Sequence, residues 1–541
     1  MTGPWLRLLN PAIIAAYMAV LIGMGLRFSR RQTTTDRYFV AGRSIPGWAM
    51  GISLLATIIT SVTFIAYPGA AYAGNWSLIV PGIMMLAVPA TIGLAVVPFF
   101  RQVVRMSAFE YFGQRFGSGV RLYCSAMFAA GHLCKMAFVL YLLALTVNSI
   151  TGWNTEAVLA ATAGISLIYA LIGGFEAIIW ADVIQGALLW AGALLAIGFL
   201  IYLTPASPAR IFEAAWQARK FSFGSSAVDL HHPTILVLLL YGAFFYLQKY
   251  TADQTVVQRY LVARSDRQAL RGILLGAVLC LPVWGLFMMA GTLLWGYFHF
   301  THEALPQFIT RGDQVFPWFL SSHLPPGLGG IFLAALFGAG MAMLASDLNC
   351  LSTVMVRDFY HRWRPMATDR RSLSVGRSCV LLGGVAALSG GLLLVHSRGA
   401  VLALYYAVTS IVAGGLAGIF LLAFLSKRTT ARAVQTAIIA NLAFTVWATL
   451  TGGNHPWFHL GRLGFSWHAY MIGVVGQVLV VVVGLAMSLV VKQPEQTTAA
   501  PAMTVWRWMR YERKGATPRC SDRLTDAVPQ VVETVTFGKS R

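Results

Sequence analysis

Charge is scarce in this chain. Of its 541 residues only 11% are Asp, Glu, Lys or Arg, while 57% are hydrophobic and the mean hydropathy is +0.68. A water-soluble protein of this length cannot hide so much apolar surface, because its helices would be apolar on every side, which suits lipid and not water. Acidic residues are scarcer than basic ones, 19 against 40, for a formal net charge of +21. No zinc-finger spacing and no basic stripe interleaved with exposed aromatics accompanies that charge, so no nucleic-acid partner is expected. No CxxC pair or metal-ligand spacing occurs either. Cys124, Cys134, Cys280, Cys350 and Cys379 fall in or beside apolar stretches and read as small packing residues. A G-x-x-x-x-G-K-[ST] loop is missing, which argues against an ATP-driven pump. No convergent His/Asp/Glu set suggests an enzyme, since His231 and His232 beside Asp229 read as solvated loop residues. The N-terminus lacks a basic region followed by a small-residue cleavage site. Its first apolar stretch, Pro11 to about Leu26, is therefore expected to be retained as a helix.

Long apolar runs are plentiful. They give an all-α polytopic membrane protein of about 13 transmembrane helices, at 9–27, 46–72, 77–99, 122–148, 155–175, 182–203, 234–257, 272–298, 328–356, 376–396, 400–425, 434–451 and 470–491. With the N-terminus outside, 31 of the 40 Lys and Arg fall in the cytoplasmic segments 27–45, 100–121, 258–272, 357–377, 425–433 and 492–541, and seven fall outside. That bias places the N-terminus outside and the C-terminus in the cytoplasm, and a bacterial inner membrane suits the short loops. Residues 492–541 read as a mostly disordered basic tail, with Trp506 and Trp508 able to rest on anionic headgroups. No second folded domain is expected there.

Six segments carry a resemblance. They are Tyr38-Phe39-Val40-Ala41-Gly42-Arg43; Ser53 to Phe64 followed by Tyr67-Pro68-Gly69; Ser107-Ala108-Phe109-Glu110-Tyr111-Phe112 with Arg115-Phe116; Gly173-Gly174-Phe175-Glu176-Ala177 with Trp180 to Gln185; Asp253 to Tyr260; and Leu348-Asn349-Cys350-Leu351-Ser352-Thr353 with Asp358-Phe359-Tyr360. In this order, over roughly 30–430, they resemble the sodium:solute symporter family, which carries sugars, monocarboxylates, sialic acid and proline. The resemblance implies a LeuT-like core of two inverted five-helix repeats, about 46–203 and 234–425. Residues 1–45 would be an extra helix and loop, and 426–491 two further helices. Each repeat is expected to open with an interrupted helix, at Pro68-Gly69 and around Thr251–Gln254, where backbone groups serve ions and solute.

Charges inside the spans are candidate functional groups. Lys135, by resemblance to sialic acid carriers, faces a substrate carboxylate; the plainer reading is a lysine that snorkels or pairs with an acid. Lys249 and Asp253, four residues apart, neutralise each other on one helix face, or Asp253 and Gln254 hold a hydroxylated solute. Thr60 and Thr63 belong to the same candidate solute site, or bond back to helix carbonyls. Asp182 reads equally as a second cation site and as a helix N-cap. The family's principal sodium site maps onto the carbonyls of Ala56, Ile59 and Ala339, and its two serines onto Ala342 and Met343. Neither replacement carries a hydroxyl, and a hard cation needs several oxygens. Asp182, Ser346 and Asp347 are the remaining candidates for a second cation or a proton. The expected function is secondary active symport of a small organic solute such as a sugar or sugar acid, with Na+ as the coupling ion that the family implies. Proton-coupled or uncoupled carriage and a solute sensor without transport are the alternatives.

Overall fold

The computed structural model describes residues 4–307, 309–325, 327–396, 415–452, 457–491 and 504–513. Helices account for most of it, and no strand occurs among the described residues, as a lipid environment that cannot satisfy open backbone requires. In chain order they are α1 (Pro4–Ser29), α2 (Thr35–Val40), α3 (Gly47–Ile58), α4 (Ser61–Ala73), α5 (Val80–Val103), α6 (Phe109–Phe116), α7 (Ser118–Thr151), α8 (Thr155–Leu203), α9 (Pro208–Gln217) and α10 (Ile235–Ala252). Then follow α11 (Gln254–Val262), α12 (Asp266–Thr301), α13 (Gly312–His323), α14 (Leu328–Val354), α15 (His361–Trp363), α16 (Asp369–His396), α17 (Leu416–Leu425), α18 (Ala431–Thr451), α19 (Tyr470–Val490) and α20 (Val505–Arg513). Among the described residues ten helices are long and apolar enough to cross a bilayer, or eleven if the bent pair α3/α4 is one span. Of the thirteen expected spans, 400–425 lies largely outside the described residues.

The 49-residue α8 would extend roughly 74 Å as one straight rod, more than twice the apolar thickness of a bilayer. It is interrupted at Gly174 (φ 59°, ψ −165°), a backbone conformation that only glycine holds without strain. The helix restarts at once, so Asp182 lies two turns inside it, fully buried. The N-cap reading of Asp182 is thereby corrected. A second correction concerns the first interrupted span, where α3 and α4 meet at 63° about Ile59 and Thr60. Pro68-Gly69 sits inside α4 instead. There a Cβ on Gly69 would lie 2.6 Å from Asp313 Cα, so this glycine serves close packing against the start of α13.

Small residues set how the helices approach, as expected where lipid supplies no hydrophobic drive between them. Along the α3–α12 crossing, a Cβ on Gly47 would lie 2.5 Å from the Gln268 carbonyl oxygen. One on Gly51 would lie 2.6 Å from that of Gly272, and one on Gly276 2.8 Å from that of Gly51. At the centre, α14 is buried from Phe332 to Val354 and packs on α1, α7, α8 and α16. Within the expected tail, α20 docks on the protein and not on headgroups alone. Buried Trp508 donates from Nε1 to Gln102 Oε1 at 2.7 Å, and Trp506 Nε1 to the Leu425 carbonyl at 2.8 Å.

Gly51→Val is expected to wedge α3 from α12 at a cost of about 1–3 kcal/mol. Thermal unfolding of the detergent-solubilised protein should report it as a lower midpoint. Gly285→Ala, which meets nothing within 4 Å, should not lower it.

Candidate solute and ion site

Both interrupted spans leave polar backbone inside the protein. Ile59 (φ −85°, ψ 109°) and Thr60 (φ −105°, ψ 174°) are extended between α3 and α4. Ile59 N–H donates to Leu55 and Thr63 N–H to Thr60, so among the described residues no backbone N–H reaches the carbonyls of Ala56 or Ile59. The second interruption is a single residue, Asp253 (φ −107°, ψ 117°), which caps α11: its Oδ1 accepts from Thr255 N at 2.9 Å and Thr255 Oγ1 at 2.5 Å.

Between these breaks lies a cavity of about 320 Å³. Thr60, Thr63 and Thr255 supply hydroxyls, Tyr67, Tyr246 and Trp284 stand among its aromatic walls, and Lys135 and Lys249 bring two ammonium groups. Carboxylates stand behind both lysines. Lys135 Nζ is 2.7 Å from Asp347 Oδ2, and Lys249 Nζ is 2.5 Å from Asp253 Oδ2. His132, one turn from Lys135 on α7, joins the pairs: Nδ1 is 3.2 Å from Asp347 Oδ1 and Nε2 is 3.4 Å from Asp253 Oδ2. One chain of five ionisable groups thus links α7, α10, the α10/α11 break and α14.

A second polar cluster adjoins the cavity through Thr57 and Thr255, which line it. Arg259 on α11 is fully buried. Its guanidinium donates to Thr255 O at 2.6 Å, Ser53 Oγ at 3.1 Å, Asp182 Oδ2 at 3.1 Å, Ser346 Oγ at 2.9 Å and also to Thr57 Oγ1. Ser53 Oγ donates to the same Asp182 oxygen at 2.5 Å, whereas Asp182 Oδ1 has no hydrogen-bond partner among the described residues.

Thr60, Thr63 and Lys135 therefore line the cavity, and Asp253 lies behind Lys249. Gln254 faces elsewhere, donating to Met106 O at 2.6 Å and accepting from Ala108 N at 2.7 Å. Asp182 and Ser346 meet at Arg259, while Asp347 belongs to the Lys135 pair. Ala339, Ala342 and Met343 are buried in α14. Only their backbone carries oxygen, and a buried thioether does not supply the hard donors that sodium needs. Sequence reasoning did not select His132, which reads as one polar residue in an apolar helix, or assign a role to Arg259. The signal for both was their cost in an apolar span.

The chain matches the model of the sodium:solute symporter family over residues 38–441. It is 29% identical to the sodium/sialic acid symporter NanT of Aliivibrio fischeri over 483 residues, covering 88% of this chain and 92% of that protein. It is also 29% identical to the sodium/sialic acid symporter SiaT of Proteus mirabilis, over 88% and 94% of the two chains. The sodium/glucose cotransporter of Vibrio parahaemolyticus is 27% identical, over 80% and 84%. Among solved structures, a substrate-bound, outward-open Na+-coupled sialic acid symporter superposes with a TM-score of 0.83 and 28% identity. That match covers 91% of this chain and 99% of the other.

Replacing Arg259 by Met leaves Asp182 buried and uncompensated, at an expected cost of about 3–5 kcal/mol. Thermal unfolding in detergent should show a large loss for that variant and recovery of most of it in Arg259→Met/Asp182→Leu, which removes both charges.

Proposed function

The chain belongs to the sodium:solute symporter family, and we propose that within it the protein is a secondary active symporter of a small carboxylated sugar, working by alternating access. The observation that carries this reading is Lys135. Its ammonium lines the cavity between the two helix breaks, where an anionic group gains a charge-assisted hydrogen bond in a partly dry setting. Thr60, Thr63 and the unpaired carbonyls at the α3/α4 break suit hydroxyl and amide groups, and the aromatic walls suit the apolar faces of a sugar ring. The sialic acid symporters among the relatives support a sugar acid as the solute class. The protein sits in a bacterial inner membrane with its N-terminus outside in this reading, as the distribution of basic residues supports.

Sodium is the co-substrate that the family implies, taken beside Ala56, Ile59 and Ala339. One observation favours a second reading, in which transport is proton-coupled or uncoupled. The hydroxyls expected beside those carbonyls are replaced by Ala342 and Met343. The remaining acidic candidates, Asp182 and Asp347, are already held by tethered cations, Arg259 and Lys135.

Uptake of a sialic acid into proteoliposomes, driven by a sodium gradient, a proton gradient or neither, tests both readings. Accumulation under a sodium gradient supports the first. Uptake indifferent to sodium supports the second, and no uptake of any sugar acid removes the proposed solute class. Lys135→Met should weaken binding of the acid about 10- to 100-fold, measured by isothermal titration calorimetry.

A further inference from the structure

Lys135 offers its charge to the cavity, yet that charge is already answered. Asp347 Oδ2 holds the ammonium at 2.7 Å from the side of α14, fully buried, while the lysine side chain keeps 27% of its surface exposed. His132, at 3.2 Å, is the other basic group facing Asp347. The carboxylate therefore stands on the protein side of the ammonium, and a solute carboxylate arriving from the cavity meets it on the other. A lysine ammonium has three N–H donors, so both carboxylates reach it, but two like charges around one cation repel each other in a low-dielectric site.

We propose that Asp347 is a built-in competitor for Lys135 and so a specificity-determining residue of the solute site. The inference rests on the reading of Lys135 as the solute's counter-ion. With Asp347 in place, the ammonium alone has too little uncompensated charge to hold a simple anion. A carboxylate binds only when it also engages the hydroxyls of Thr60 and Thr63 and the aromatic walls. The acid thus weakens binding of its proper solute in order to reject small anions, a discrimination built on repulsion as well as attraction. Lys249 and Asp253 repeat the arrangement across the cavity, with Lys249 Nζ also 5.7 Å from the centre of the Phe245 ring. The cavity is therefore lined by two cations that are both neutralised from behind.

The test is calorimetric titration of the detergent-solubilised full chain with N-acetylneuraminate, its carboxyl methyl ester and sodium acetate as competitor. Asp347→Asn should bind the acid about 10-fold more tightly or better, bind the ester as the wild type does, and become sensitive to acetate. Asp347→Glu, which keeps a carboxylate, should stay near the wild type in all three. Unchanged or weaker binding of the acid by Asp347→Asn, with the ester unaffected, overturns the proposal, because Asp347 would then position Lys135 and not compete for it. Equal changes for acid and ester overturn it too, since they report a general effect on the cavity. If the asparagine variant does not fold, Asp347→Ser makes the same comparison. Failure of the underlying reading looks different: Lys135→Met would then bind the acid like the wild type, whatever Asp347 does.

Discussion

One fully buried guanidinium joins four helices in this protein. Arg259 reaches from α11 to Ser53 and Thr57 on α3, Asp182 on α8 and Ser346 on α14, and its Cζ lies 5.6 Å from the centre of the Phe175 ring. A charge taken out of water costs several kcal/mol unless its donors are met and an opposite charge lies close. Every one of those partners comes from an element that the sequence places far away, so the guanidinium is comfortable only when all four helices are correctly packed. The interruption at Asp253 makes the arrangement reachable. It ends α10 and caps the short α11, which carries the buried Arg259, while Asp253 itself pairs with Lys249 at the cavity. The site and the scaffold are therefore built by the same two-residue-type solution: a carboxylate and a tethered cation, once at Arg259 and again at each lysine.

Much of this was legible beforehand, for identifiable reasons. Spans are legible because lipid imposes length and composition on each helix independently, so α5, α7 and α12 follow from apolar runs alone. The pair of Lys249 with Asp253 is legible because four residues on a helix is a fixed geometry. The break at Ile59–Thr60 was marked only by the resemblance, which set Ile59, Thr60 and Thr63 beside it, since neither Ile59 nor Thr60 is a breaker, and the visible Pro68-Gly69 pointed elsewhere. There the proline is accommodated within α4 and the glycine is spent on close contact with α13. The role of His132 was hidden for a different reason. Its partners, Asp253 and Asp347, come from the α10/α11 break and α14, and nothing local to α7 announces them.

The departures from the family pattern fall on one helix. In α14 the positions that the resemblance pairs with the first break hold Ala342 and Met343, while Asp347 one turn further on turns toward α7. Side-chain oxygen is absent at Ala342 and Met343 and present at Asp347, beside a cation that is covalently part of the chain. Each ammonium at the cavity is balanced by a carboxylate of the same chain, Lys135 by Asp347 and Lys249 by Asp253.

The docking of α20 has a consequence for how the chain is made. Trp508 completes its contact with Gln102 across 406 residues of sequence, against a face of α5 that leaves the ribosome early. Until α20 emerges, the side of Phe99 that Trp508 covers, with ring centres 6.0 Å apart, has no partner from this helix. The order of synthesis thus leaves a seam that closes only after α5 to α19 have been made. A nascent chain that has inserted the bilayer-crossing helices described above still differs at that seam from one in which α20 has docked.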